Sequence, residues 1–270
     1  MSLVSTKWLN ENLEKVKIID CSWHMPAEKR NSKNEFDKEH IPNSLFFDLD
    51  KNSKQNTDLP HMLPSLEEWE KIVSNLGILN NDRIIIYDNS DVISACRCWY
   101  NFIYFGHDPN LVSVLNGGLK KWKKERRETT NIIREILKSE YKGKEKIGLV
   151  KNKKQISENI VKKDFTVVDA RSRERFEGKV PDPRTNVRSG CIPQSLCLPF
   201  KEIINEDNSF KELNEIEELF NKTFQNNQEN PVFSCGSGVT ACVLALAYSL
   251  VHNKYLPVIY DGSWSEYGKI

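Results

Sequence analysis

The 270-residue chain contains no run of about eighteen apolar residues, the length a membrane-crossing helix needs. It also has almost no net charge, since 39 basic and 38 acidic side chains leave +1. That balance gives no reason to expect a nucleic-acid partner or a membrane surface. The first residues, MSLVSTKWLNENLEKVKIID, lack the apolar core of a secretion signal and the arginine-rich bias of an organellar leader. The expectation is a soluble, cytoplasmic, monomeric protein. Cysteine is sparse and unpatterned: Cys21, Cys96, Cys98, Cys191, Cys197, Cys235 and Cys242 are odd in number and form no ladder of spacings. In a reducing compartment they would be free thiols. Cys96 and Cys98 are two apart on an expected helix and would point away from each other, so they make neither a metal clip nor a redox pair. Six of the seven read as buried structural thiols.

Cys235 reads differently. It stands in VFSCGSGVTACVLALAY, residues 232 to 248, between an apolar run ending at Phe233 and a helical run over 240–250. Gly236 and Gly238 permit backbone angles that other residues avoid. A strand, a tight glycine loop and a helix N-terminus together make a ring of inward N–H groups that favours negative charge at its centre. A thiolate at the lip of that ring is a candidate nucleophile. A core cysteine would need neither the glycines nor the ring.

The chain also repeats itself. VKIIDCSW at 16 resembles TVVDARSR at 166, and EHIPNSLFFDLD at 39 resembles GCIPQSLCLPF at 190. RIIIYDNS at 83 resembles PVFSCGS at 231, and VSVLNGGLKKW at 112 resembles LPVIYDGSWSEY at 256. The offsets agree: Asp169 minus Asp20 is 149, Ile192 minus Ile41 is 151, Cys235 minus Asp88 is 147 and Gly262 minus Gly117 is 145. Four matches in one order imply a duplicated domain. Within each copy, short apolar strands alternate with helical stretches such as 65–78, which opens on a Ser N-cap and acidic first-turn residues. The pattern predicts an α/β fold in which each copy is a parallel sheet with helices on both faces. Ligands of such sheets sit beyond the carboxyl ends of the strands, where Cys235 lies. The expected division is 1–124, a charged linker over 125–152, and 153–270. In the first copy Asp88 stands where the second has Cys235, so the first copy has no nucleophile.

CGSGVT at 235–240, in the second of two repeated domains, together with HIPNS, DLPHMLP, RFEGKVPDPR and DGSW, resembles the mercaptopyruvate sulfurtransferases of the rhodanese superfamily. The likeness covers nearly the whole chain and is weakest from about 123 to 160. It implies two tandem rhodanese-like domains, the first inactive, and a persulfide on Cys235. By the same resemblance Arg175 and Arg184 grip the carboxylate and ketone of the substrate, an anion that suits the bidentate reach of arginine. Gly236, Gly238, Val239 and Thr240 would line the bound substrate, and Ser237 with His61 and Asp50 would form a proton relay. The chain departs from the family at Cys191, where a His is usual, and in its approach to His61.

The activity so implied moves sulfur from 3-mercaptopyruvate to thioredoxin, a small thiol or cyanide and releases pyruvate, with no metal or organic cofactor. Thiosulfate is the alternative donor, but related thiosulfate sulfurtransferases typically carry an Arg where this loop has Gly236. A cysteine phosphatase would need an Arg six residues after the nucleophile, and that residue is Ala241. A non-catalytic binding module would have lost the loop cysteine.

Overall fold

The computed structural model describes residues 2–225, 230–252 and 256–270. These group into two compact units. Unit 1 comprises Met1–Gln55, Leu63–Lys146 and Glu206–Ser209, and unit 2 comprises Asn56–Met62, Ile147–Asn205 and Phe210–Ile270.

Unit 1 is built on a five-stranded sheet of β1 (Leu3–Val4), β2 (Lys17–Asp20), β3 (Ser44–Phe46), β4 (Ile84–Tyr87) and β5 (Val112–Leu115), in the order β1-β5-β4-β2-β3. Unit 2 has β6 (Val150–Lys151), β7 (Thr166–Asp169), β8 (Leu196–Cys197), β9 (Pro231–Ser234) and β10 (Ile259–Tyr260), in the order β6-β10-β9-β7-β8. Every strand pair is parallel, and the two orders are the same order displaced by five. The four sequence matches fall on equivalent strands, so the duplication is real in three dimensions. Helices flank both sheets, and each unit is α/β as expected.

The central strands are continuous apolar runs because a parallel sheet is covered on both faces. Ile84, Ile85 and Ile86 of β4 are all fully buried, and Val232 and Phe233 of β9 are nearly so. On one face of the unit 1 sheet, Leu9, Ile18, Ile85, Leu115 and Trp122 pack together; the matching cluster in unit 2 contains Ile156, Val167, Val232, Tyr260 and Trp264. The helix expected over 65–78 forms at Leu66–Asn75, with Ser65 and Glu68 closing a capping box. The helix expected from 240 runs over Ala241–Val251.

The two units depart from the sequence division in more than one place, residues 206–209 of the second copy among them grouping with unit 1. Residues 125–146 group with unit 1, and Tyr141 is buried there with its N–H donating to Ser74 Oγ at 3.0 Å. Loop 56–62, inside the first sequence copy, groups with unit 2, where Lys269 pairs with Asp58 at 2.9 Å. Short-range composition carries no signal for any of these, because long-range contacts decide which sheet a loop joins. None of the described cysteines is in a disulfide, but Cys191 and Cys197 are half-buried rather than buried. Cys197 lies on the edge strand β8, which has a neighbour on one side only.

Candidate active site

Cys235 follows β9 directly, at the carboxyl end of the sheet, and is 2% exposed. Its backbone is fixed by the turn after β10. The Cys235 N–H donates to Ser263 Oγ at 3.1 Å, and Ser263 Oγ donates to the Tyr260 carbonyl at 2.8 Å. Trp264 N–H donates to the Cys235 carbonyl at 3.0 Å, and Ser265 N–H to that of Gly236 at 2.9 Å. Gly238 takes φ of +79°, a region costly for residues with a Cβ. The loop ends at Thr240, which begins helix Ala241–Val251 without a side-chain cap, and Val239 is buried behind it. The dipole of that helix favours an anion at the loop.

Two guanidinium groups close over the loop. A Cβ placed on Gly236 would stand 3.1 Å from Arg184 Nη2 and 3.5 Å from Arg175 Nη2. The missing side chain at 236 is therefore what lets both arginines approach the residue after the nucleophile. Asp182 holds the pair: its Oδ2 accepts from Arg175 Nη2 at 2.8 Å, and its Oδ1 accepts from Arg184 Nη1 at 3.2 Å and Arg184 N at 3.1 Å. The Asp182 side chain is 1% exposed, whereas the two arginine side chains keep 24% and 27%. Arg175 Nε is buried and has no acceptor among the described residues. Burial pushes the Arg184 guanidinium below its ordinary pKa, against the raising charges of Asp182 and Cys235. The sequence reading named both arginines and missed Asp182, whose only signal was its place between two prolines in PDPR.

His61 Nδ1 lies 2.9 Å from Ser237 Oγ, and both residues are buried within unit 2. His61 has a φ of +59°, held by an irregular loop. The structure thus gathers Cys235, Ser237, His61, Arg175 and Arg184 in one unit. Asp50 belongs to unit 1, exposed, where both of its carboxylate oxygens accept from Trp23 Nε1 at 3.0 Å. The neighbouring arginines have structural partners. Arg171 is buried against Asp169 at 2.7 Å, Arg173 pairs with Glu202 at 2.8 Å, and Arg188 lies 5.0 Å over Trp264.

The equivalent place in unit 1 is filled by the protein's own carboxylates. Asp88 Oδ2 accepts from Ser90 Oγ at 2.7 Å, Ser94 Oγ at 3.2 Å and Ala95 N at 3.1 Å, at the start of helix Ala95–Tyr104. Beside Asn89, the counterpart of Gly236, Glu35 accepts from Arg30 at 2.7 Å and from Asn89 Nδ2 at 3.1 Å. Asn208 Nδ2 donates to the Ser90 carbonyl at 3.2 Å. Asn208 minus His61 is 147, as is Ser237 minus Ser90, so Asn208 repeats the position of His61. A cleft of about 570 Å³ at the amino ends of β7 and β8 contains none of the candidate residues.

Residues 5–125 and 152–269 each match the rhodanese-like domain. The chain belongs to the rhodanese family. Among its rhodanese relatives, thiosulfate/3-mercaptopyruvate sulfurtransferase 1, mitochondrial, of Arabidopsis thaliana is 37% identical over 98% of this chain and 75% of that protein. The 3-mercaptopyruvate sulfurtransferase of Homo sapiens is 34% identical over 98% of this chain and 91% of that one. The crystal structure of SseA from Escherichia coli, described as a 3-mercaptopyruvate sulfotransferase of rhodanese fold, superimposes with a TM-score of 0.86 at 29% identity, covering 98% and 99% of the two chains. Among the described residues no rhodanese-unit helix is long and apolar enough to cross a membrane, and none of their His, Cys, Asp and Glu side chains form a group of three able to hold a metal ion.

Proposed function

We propose that this rhodanese-family chain is a sulfurtransferase that takes sulfur from 3-mercaptopyruvate onto Cys235. One observation carries the reading: two guanidinium groups, with a buried N–H to spare, stand over the residue next to a cysteine at a helix N-terminus. A small keto acid fits that arrangement, its carboxylate and ketone toward Arg175 and Arg184 and its sulfur toward Cys235. The loop residues Gly236, Gly238, Val239 and Thr240 form the floor.

In the proposed reaction the Cys235 thiolate attacks the substrate sulfur. An S–S bond forms, the C–S bond breaks, and its electron pair leaves as the enolate of pyruvate, which takes a proton. Ser237 and His61, 2.9 Å apart, are placed to deliver that proton. Asp50 remains the proposed third member of the relay. The persulfide then passes its outer sulfur to thioredoxin, a small thiol or cyanide. Unit 1, with Asp88 in place of the nucleophile, would form no persulfide of its own. A monomeric, cytoplasmic enzyme completes the proposal; the Arabidopsis relative is mitochondrial by name, so fractionation of cells is the check on location.

Incubation with 3-mercaptopyruvate should add about 32 Da to the peptide carrying Cys235, as a covalent sulfur intermediate requires. Cys235→Ser should abolish the addition, because a hydroxyl cannot carry the sulfur. Sulfur transfer surviving in that variant would overturn the assignment. Thiosulfate is the second reading, favoured by the double name of the Arabidopsis relative. Rates with the two donors under one set of conditions decide between them.

A further inference from the structure

We infer that Asp182 is a specificity-determining residue: by cancelling one of the two guanidinium charges, it sets the site to accept monoanionic sulfur donors over dianionic ones. The inference rests on the proposed clamp of Arg175 and Arg184.

Asp182 is the innermost member of the clamp. Its carboxylate is almost wholly buried, while both arginines keep about a quarter of their side-chain surface open. It spends one oxygen on each guanidinium and also takes the backbone N–H of Arg184. Among the described residues Arg175 Nε has no hydrogen-bond acceptor. The net charge of the three groups is two positive minus one negative, or +1. The nearby Arg171 adds nothing, since the buried Asp169 carboxylate matches it. A substrate with one carboxylate and a neutral thiol is the complement of that charge. Thiosulfate, with two negative charges, leaves one uncompensated beside the thiolate. In a partly desolvated site a single unit charge within hydrogen-bonding range shifts affinity by an order of magnitude or more.

The clamp is therefore more than a pair of cations. The proline on each side of Asp182 fixes φ at Pro181 and Pro183 and stiffens the backbone that carries the carboxylate.

The test compares kcat/KM for 3-mercaptopyruvate and thiosulfate in the wild-type protein, Asp182→Asn and Asp182→Glu. Asp182→Asn keeps the shape and removes the charge. It should raise the thiosulfate-to-mercaptopyruvate ratio about tenfold or more. Asp182→Glu keeps the charge and should leave the ratio within about twofold of wild type even if both KM values rise. A merely bracing residue would lower both activities together and leave the ratio unmoved, and that result would overturn the inference. So would a finding that Asp182→Asn and Asp182→Ser both fail to fold, since the carboxylate would then be a requirement of the fold. Failure of the wild-type protein to form a persulfide with either donor would instead sink the proposed function itself.

Discussion

His61 Nδ1 and Ser237 Oγ stand 2.9 Å apart although 176 residues separate them in the chain. The histidine comes from a loop of the first sequence copy that folds as part of the second unit. If the pair delivers the proton to the leaving enolate, His61→Ala should lower kcat with 3-mercaptopyruvate by about 10²–10⁴. Ser237→Ala should do the same, and the double variant should be little worse than either, because one relay can be broken only once. Single-turnover kinetics that show additive losses would separate the two residues.

Gly236→Ala tests the closeness of the clamp. The added Cβ would meet Arg184 Nη2 at 3.1 Å, tighter than ordinary contact, so the guanidinium must retreat. KM for 3-mercaptopyruvate should rise several-fold while the thermal midpoint changes little, since a displaced surface-facing guanidinium costs well under about 1 kcal/mol. Arg184→Lys should act in the same direction and further, because lysine keeps the charge and loses the fork, a loss of about 1.5–3 kcal/mol of charge-assisted hydrogen bonding. Steady-state kinetics with unchanged KM in both variants would count against the clamp.

Ser263 offers a case of stored strain. Its φ is +48°, where the equivalent position in the first copy is Gly118 at +52°. A serine there costs about 1 kcal/mol relative to glycine. The hydroxyl accepts the Cys235 N–H, which gives the strain a function. Ser263→Gly should slow persulfide formation with little change in the thermal midpoint, because relief of the strain offsets the lost hydrogen bonds. A variant that is both more stable and equally fast would make the serine incidental.

Asp20 and Asp88, neighbouring buried acids of unit 1, govern the pH response of stability. Burial raises Asp20 from 3.8 to about 7 and Asp88 from 3.8 to about 6. A carboxyl raised in the folded state stabilises fully below its unfolded value, and that contribution is lost as pH rises through the folded value. Stability should therefore decline from about pH 4, where the unfolded acids ionise, to about pH 7, where the folded ones do. Because the two acids interact, the apparent midpoint belongs to the pair. Asp20→Asn should flatten the decline, as read from urea midpoints across that range.

Local pattern alone determined a good deal. The apolar runs that became β2, β4, β7 and β9, the capping box at Ser65 and the strand–glycine–helix setting of Cys235 are short-range features, each fixed by period, turn chemistry or capping within about ten residues. The common offset between copies was equally legible, because a duplicated fold repeats its strands in order. Even the left-handed turn at Ser263 lay inside a motif, DGSW, that stood out. Other relationships had no local mark. Asp182 looked like a loop residue until its carboxylate was seen buried between two guanidinium groups. Loop 56–62 carries no sequence sign of the unit it joins, and Asn208 shows its kinship with His61 only once both loops are placed. The reason is physical: hydrogen bonding along the chain sets the elements, but burial of a charge and the choice of its partner depend on residues that only the closed fold brings within 3 Å or so of each other.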